Sequence, residues 1–125
     1  MTRGHRSKRF AFPRSRRLTR GDEFERIKRT GDVQRGCFLV VSVLNVNNES
    51  DRFRAGFITS RALGGAVVRN RVRRRLREIV RKHQHEIAHG NWIVTIARAS
   101  AAGASYQQLE AEWLRLTRRP SILAA

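Results

Sequence analysis

The segment Ala66 to Lys82, AVVRNRVRRRLREIVRK, constrains this chain more than any other stretch of it. Eight of its seventeen residues are cations and Glu78 is its one anion. Its apolar residues nevertheless keep helical spacing: Val68, Val72, Leu76, Ile79, Val80, and beyond the segment Ile87. At about 3.6 residues per turn these positions cover an arc of roughly 120°. Asn70, Arg73, Arg74, Arg77 and Arg81 fall on the far side. Arg71, Arg75 and Lys82 flank the apolar stripe, and Arg69 lies within it near its start. A helix of this kind buries one side and turns a dense guanidinium surface outward, a surface chemically matched to phosphate.

The rest of the composition agrees. A chain of 125 residues is one domain with a single modest core. Its formal net charge is +17, from 27 basic and 10 acidic residues. Self-repulsion on that scale destabilises a compact state, so a polyanionic partner is the expected context. Nearly all the cations are Arg, which offers bidentate donors to phosphate and stacks on bases. A compositional bias exchanges Lys for Arg but does not create seventeen excess charges. The lone cysteine, Cys37, excludes an internal disulfide, suits a reducing cytoplasm, and is expected in the core because it opens an apolar run. No apolar run approaches the roughly 20 residues of a membrane span, so no membrane partner is expected. The basic N-terminus lacks the apolar stretch of a secretory signal, and a cytoplasmic location is expected.

Residues 1–17 read as a basic arm, flexible alone and ordered by a polyanion, ahead of a single domain over 18–119 and a short tail over 120–125. Thr19 with Asp22 resembles a capping box opening a short helix through about Arg29, with Phe24 and Ile27 apolar and Gly31 as its C-terminal cap. Cys37 to Val46 is dense in β-branched residues and reads as a strand buried on both faces. The Asn47–Asp51 cluster is a turn, and Phe53 to Thr59 reads as a returning strand, giving a hairpin. Leu63-Gly64-Gly65 turns into the arginine helix, which is expected to end near His89-Gly90. Trp92 to Ala97 is a third strand. Ser105 is the expected N-cap of a last helix that packs Leu109, Trp113 and Leu116 inward and closes at Pro120. The order α-β-β-α-β-α predicts an α+β fold, an α/β sandwich with one small sheet and helices packed on it.

Arg69-Asn70-Arg71 alone is a weak signal, but its setting is specific. Arg54-Ala55-Gly56-Phe57-Ile58-Thr59-Ser60-Arg61 precedes it, then a Gly-rich turn, then Ala66-Val67-Val68 and the basic helix. With Leu18, Asp22-Glu23-Phe24 and the Trp92–Arg98 strand, this constellation resembles the protein subunit of bacterial ribonuclease P from about Arg17 to Leu116. The resemblance implies a cofactor protein for a ribozyme: the RNA subunit and its Mg²⁺ cut the 5′ leader from precursor tRNA, while the protein binds the catalytic RNA and grips the leader. It also implies a left-handed β-α-β crossover, against the general right-handed rule.

Carried over residue by residue, the resemblance assigns Arg69, Asn70, Arg71, Arg73, Arg74, Arg77 and Arg81 to contact with the catalytic RNA. Arg61 stands where relatives carry Lys and is expected to touch the backbone. Arg14, Arg16 and Arg17 of the arm, and Arg20 just beyond it, are expected to reach RNA. Phe24 matches an aromatic lining the leader cleft, where bases stack. This chain departs from the pattern there: Lys28 replaces a second aromatic common one turn later, and a strand aromatic gives way to an aliphatic residue near Val41. Leader gripping then relies more on charge. Arg75 is a further departure, since relatives place an apolar residue there. Trp92, Trp113 and Tyr106 are assigned to core or rim.

Two rivals compete. Another RNA-binding protein of the ribosomal type shares the composition. Docking in a DNA major groove needs a companion helix, whereas the flanking segments read as strands, so DNA is not an expected partner. The second rival is a small zinc hydrolase. His85-Glu86-Ile87-Ala88-His89 fits H-E-x-x-H, in which two His one helical turn apart hold zinc and the Glu acts as base. Here the motif falls in the last turn before Gly90, and no His follows to supply a third ligand.

Overall fold

In a computed structural model of the chain, the described residues are 21–45, 53–87 and 90–118, except the side chains of Asp22, Glu23, Phe24, Lys28 and Thr30. The basic arm with Arg14, Arg16 and Arg17, the Thr19 cap, Arg20, the Asn47–Asp51 turn, His89, Pro120 and the tail lie outside them.

Among the described residues, three helices and four strands follow in the order α1 (Gly21–Thr30), β1 (Asp32–Arg35), β2 (Leu39–Asn45), β3 (Arg54–Thr59), α2 (Ala66–His83), β4 (Asn91–Ala97) and α3 (Tyr106–Arg118). Short 3-10 turns lie at Arg61–Leu63, Gln84–Glu86 and Ala99–Gly103. The strands form one mixed sheet in the order β1-β2-β4-β3. The α+β class with one small sheet and helices packed on it is therefore present, with one more strand than the sequence pattern suggests.

That extra strand, β1, reads Asp-Val-Gln-Arg. It is polar because it is an edge strand, and its charged ends disfavour pairing with another chain. The expected hairpin of β2 and β3 does not form. β4 lies between them, antiparallel to β2 and parallel to β3. β4 is the strand that gains most from the central place, since Ile93, Val94, Thr95 and Ala97 are all buried. Parallel neighbours need a long crossover, and α2 supplies it.

The two sheet faces are unequal. On one, Leu39, Val41, Val43, Ala55 and Ile93 pack with Val72, Leu76, Ile79 and Val80 of α2 and with Leu109, Trp113 and Leu116 of α3. Each such aliphatic side chain contributes roughly 1.5–3 kcal/mol of transfer free energy. On the other face, α1 seats Ile27 against Val94, with Leu44, Ile58, Trp92 and Ile96 around them.

Local signals set the helix ends. Ser105 Oγ accepts the Gln108 N–H at 3.1 Å while Gln108 Oε1 accepts the Ser105 N–H at 2.9 Å, a reciprocal capping box that starts α3. α2 ends at His83, six residues before the expected His89. The chain tightens there into a 3-10 turn, Glu86 folds back onto His83, and Ile87 turns extended to bury its side chain in the main core. Ile87 continues the helical spacing in sequence but reaches the core by leaving the helix.

Cys37 is exposed rather than buried. It lies on the turn between β1 and β2. There the N–H groups of Cys37, Phe38 and Leu39 donate to the Glu112 carboxylate at 2.9, 2.7 and 2.7 Å. Cys37 is therefore held by its backbone while its side chain points away from the core.

Candidate nucleic-acid interface

The inner side of α2 is Val72, Leu76, Ile79 and Val80, as the apolar spacing requires. The remaining circumference carries the cations, and they divide into three groups. Arg69, Arg73 and Arg77, four residues apart, form the flank towards β3 and are half-buried. Arg73 Nη2 donates to Thr59 Oγ1 of β3, which draws Arg73 from the outermost position to this flank. Arg69 Nε is buried with no hydrogen-bond partner among the described residues, which leaves a donor for an external acceptor.

Asn70 and Arg74 point outward and are exposed. Beside them Arg81 is paired with Glu78, whose hydrogen bond raises the guanidinium pKa further. Val67, 80 % exposed, shares this side. On the opposite flank Arg71 Nη2 donates to Ala102 O at 3.1 Å and Arg75 Nη1 to Ala104 O at 2.9 Å. Lys82 Nζ meets Glu110 Oε2 at 3.0 Å.

Two consequences follow. Consecutive helix residues differ by about 100°, so Arg69, Asn70 and Arg71 spread over roughly 200° of the helix and reach both flanks. In addition, Arg71, Arg73 and Arg75 bond to neutral acceptors, which fix the guanidinium heads without cancelling their charge. Glu78, the one anion on the helix, is engaged by Arg81. The result is a preorganised, largely uncompensated array of planar donors, the arrangement that pairs with phosphate oxygens. Arg61, exposed, sits on the turn that leads into α2 from β3, where the Ser60 hydroxyl caps the Ala62 N–H.

The structure thus gathers Arg61, Asn70 and the α2 arginines on one helix and its entry turn. It does not place Val41 in a cleft. Val41 is 0 % exposed and packs in the main core beneath α2 and α3. The β2 positions on the α1 face are Val40, Ser42 and Leu44, because side chains alternate across a strand. A shift of one residue in the assumed alignment sends the side chain to the wrong face. The side chains of Phe24 and Lys28, the other expected cleft residues, lie outside the described ones. On this face Arg26 and Arg54 place their guanidinium groups 5.5 and 5.8 Å from the centre of the Trp92 ring. Sequence reading missed both cations. The signal was the position of Trp92 in a strand whose alternate residues face α1.

The described part of the zinc motif, His85 to Ile87, is not arranged as a metal-binding helix, and His89 lies outside the described residues. His85 is exposed, Glu86 is taken by His83, and the helix that should space two His by one turn has already ended. His83 instead sits between Glu86 Oε2 (3.0 Å from Nδ1) and Glu110 Oε2 (2.9 Å from Nε2), its ring stacked 6.2 Å from that of Trp113. Its hydrogen bonds lower the carboxyl pKa of both Glu residues, with Lys82 adding to the effect on Glu110. Among the described residues no three His, Cys, Asp or Glu side chains converge as a metal site.

Comparison with known proteins matches this architecture. A sequence model of the family described as Ribonuclease P matches residues 12–121. The chain is 40 % identical over 108 residues to the ribonuclease P protein component of Acidothermus cellulolyticus, covering 86 % of this chain and 90 % of that one. It is 32 % identical over 108 residues to that of Syntrophomonas wolfei, covering 86 % and 89 %. Among solved structures, the ribonuclease P protein of Staphylococcus aureus superposes with a TM-score of 0.78 at 28 % identity, covering 86 % of this chain and 97 % of that one. That of Thermotoga maritima gives 0.73 at 27 % identity, covering 82 % and 96 %.

Proposed function

The chain belongs to the ribonuclease P protein family, and from that membership we propose how its surfaces serve the enzyme. Ribonuclease P is the endoribonuclease of tRNA processing, and this chain is its protein subunit. The cationic sides of α2, from Arg69 to Arg81 with Arg61 at the entry turn, dock on the phosphates of the catalytic RNA. The observation that carries this reading is the set of α2 arginines held by neutral acceptors, charged and preoriented. Phosphate contact would supply acceptors such as the one Arg69 Nε lacks.

The 5′ leader of precursor tRNA runs over the other face of the sheet, beside α1, where Arg26 and Arg54 flank Trp92 and where Phe24 and Lys28 belong to the helix. Arg16 and Arg17 of the arm, with Arg20 just beyond it, extend the RNA contact. Bond cleavage rests with the RNA and its Mg²⁺. The protein's part is to neutralise phosphate charge and to hold the substrate. The setting we propose is the cytoplasm, where precursor tRNA is processed in a bacterial cell.

Reconstitution tests this. The purified chain alone should leave precursor tRNA intact. Added to a bacterial catalytic RNA, it should lower the Mg²⁺ requirement for cleavage and tighten binding of leader-bearing substrate. No effect on that RNA at low Mg²⁺ would contradict the proposal.

A further inference from the structure

Where α2 meets the start of α3, Arg71, Arg74, Arg75, Glu78 and Tyr106 line an open depression of about 500 Å³. Three guanidinium groups border it against one carboxylate, and that carboxylate is already paired with Arg81. Arg71 and Arg75 are braced on Ala102 O and Ala104 O, so their heads are positioned while their charge stays available. Tyr106, the first residue of α3, is half-buried and forms the aromatic wall. Desolvation, then the nearby Glu110 carboxylate, pushes its phenol pKa up. A basic rim around an aromatic wall is the combination that holds an unstacked base together with its phosphate.

We infer that this depression is a nucleotide site: an unpaired nucleotide of the catalytic RNA enters it, with its base against Tyr106 and its phosphate between Arg71 and Arg74. The inference rests on the docking of α2 proposed above and assigns that docking a specific point of contact. The volume suits a nucleotide, since small-molecule pockets run from about 300 to 1,000 Å³. The catalytic RNA is the occupant rather than the precursor because Arg74 belongs both to this rim and to the outward side of α2. The depression is thus continuous with that surface, while the leader face lies across the sheet. Tyr106, assigned from the sequence to core or rim and not to base stacking, becomes a stacking residue.

The test measures the affinity of the full chain for a bacterial ribonuclease P RNA as a function of salt. Tyr106→Phe should bind like the unaltered chain. Tyr106→Leu should weaken binding about tenfold, the effect of losing one stacked base, with the salt slope unchanged. Arg71→Ala should weaken binding and flatten the slope by about 0.7–0.9, one phosphate contact. Thermal melting verifies folding, and the Phe variant keeps the stacking claim testable if Leu perturbs the helix start. Normal binding by a folded Tyr106→Leu chain overturns the inference, and so does an equal loss with Phe and Leu, which would implicate the hydroxyl. A Leu defect confined to holoenzyme binding of leader-bearing precursor tRNA places the substrate there instead and also overturns it. If Arg73→Ala and Arg77→Ala still weaken RNA binding in those cases, the docking of α2 stands without the pocket. If no α2 variant alters binding, the docking itself fails.

Discussion

Glu112 Oε2 accepts the backbone N–H of Leu39 at 2.7 Å, joining α3 to the first residue of β2 across 73 residues of chain. The same carboxylate takes the N–H groups of Cys37 and Phe38 and is itself 5 % exposed. Arg115 Nη2 adds a fourth hydrogen bond at 3.2 Å. An anion buried at a turn thus satisfies three amide donors that the β1-β2 connection would otherwise leave unpaired. Glu112→Ala should destabilise the fold by roughly 3–5 kcal/mol, measured by chemical denaturation, because one buried and two partly buried amide donors lose their acceptor together. A loss under about 1 kcal/mol would show that the turn finds other acceptors.

Gly36 tests the same contact from the other side. A Cβ built there would sit 2.5 Å from Glu112 Cδ, and the carboxylate is pinned by its amide partners. Gly36→Ala should cost roughly 1–3 kcal/mol, read from the denaturation midpoint. The residue needs no left-handed backbone conformation, so the cost reports the close approach alone. Unchanged stability would mean that the carboxylate can move aside.

Much of this molecule is legible in its sequence wherever a periodic pattern meets a single buried side. The stripe Val72, Leu76, Ile79 and Val80 identifies α2 and its inner face, and Ser105 with Leu109, Trp113 and Leu116 identifies α3. What stays hidden depends on pairing between distant segments. β2 is apolar on both faces, so parity along it is ambiguous, and Val41 is assigned to the cleft although it belongs to the core. Nothing local reveals that β4 inserts between β2 and β3, nor that a four-residue segment with Val33 as its one apolar residue forms β1. The early end of α2 depends on Glu86 and Glu110 meeting His83, and the second of these is 27 residues away. The arginine surface itself was legible, but not its division into flanks, which Thr59, Ala102 and Ala104 impose.

The parity of β2 has a direct consequence. Val41→Tyr forces a ring into a fully enclosed position and should cost at least about 1–3 kcal/mol in a thermal or chemical melt. Val40→Tyr, on the half-buried α1 face, should leave the fold intact. On the proposed leader surface it should tighten holoenzyme binding of leader-bearing precursor tRNA roughly fivefold, about 1 kcal/mol of stacking. Loss of folding with Val40→Tyr, or a gain with Val41→Tyr, would reverse the assignment of faces.

Acid should release the clasp between α2 and α3. The His83 hydrogen bond, then that of Lys82, hold the Glu110 carboxyl below its ordinary value of 4.5. A carboxyl whose folded pKa is depressed contributes stability in full above its unfolded pKa and loses it as pH falls through the folded value. Glu110→Gln should therefore be less stable than the unaltered chain at pH 7, by about 1 kcal/mol, with the gap closing as the pH drops below about 4.5. Denaturation curves at pH 7 and pH 3 measure it. A gap of equal size at both would show that Glu110 acts through packing and not through its charge.

The proposed meeting of α2 with phosphate is tested most directly by the salt dependence of binding to the catalytic RNA. The logarithm of the binding constant falls linearly with the logarithm of salt concentration, by about 0.7–0.9 per phosphate contact. Arg73→Ala and Arg77→Ala, on the flank beside β3, should each weaken binding and reduce the slope by one such increment. Unaltered slopes for both variants, with folding intact, would mean that this side of the helix does not meet phosphate and would contradict the account.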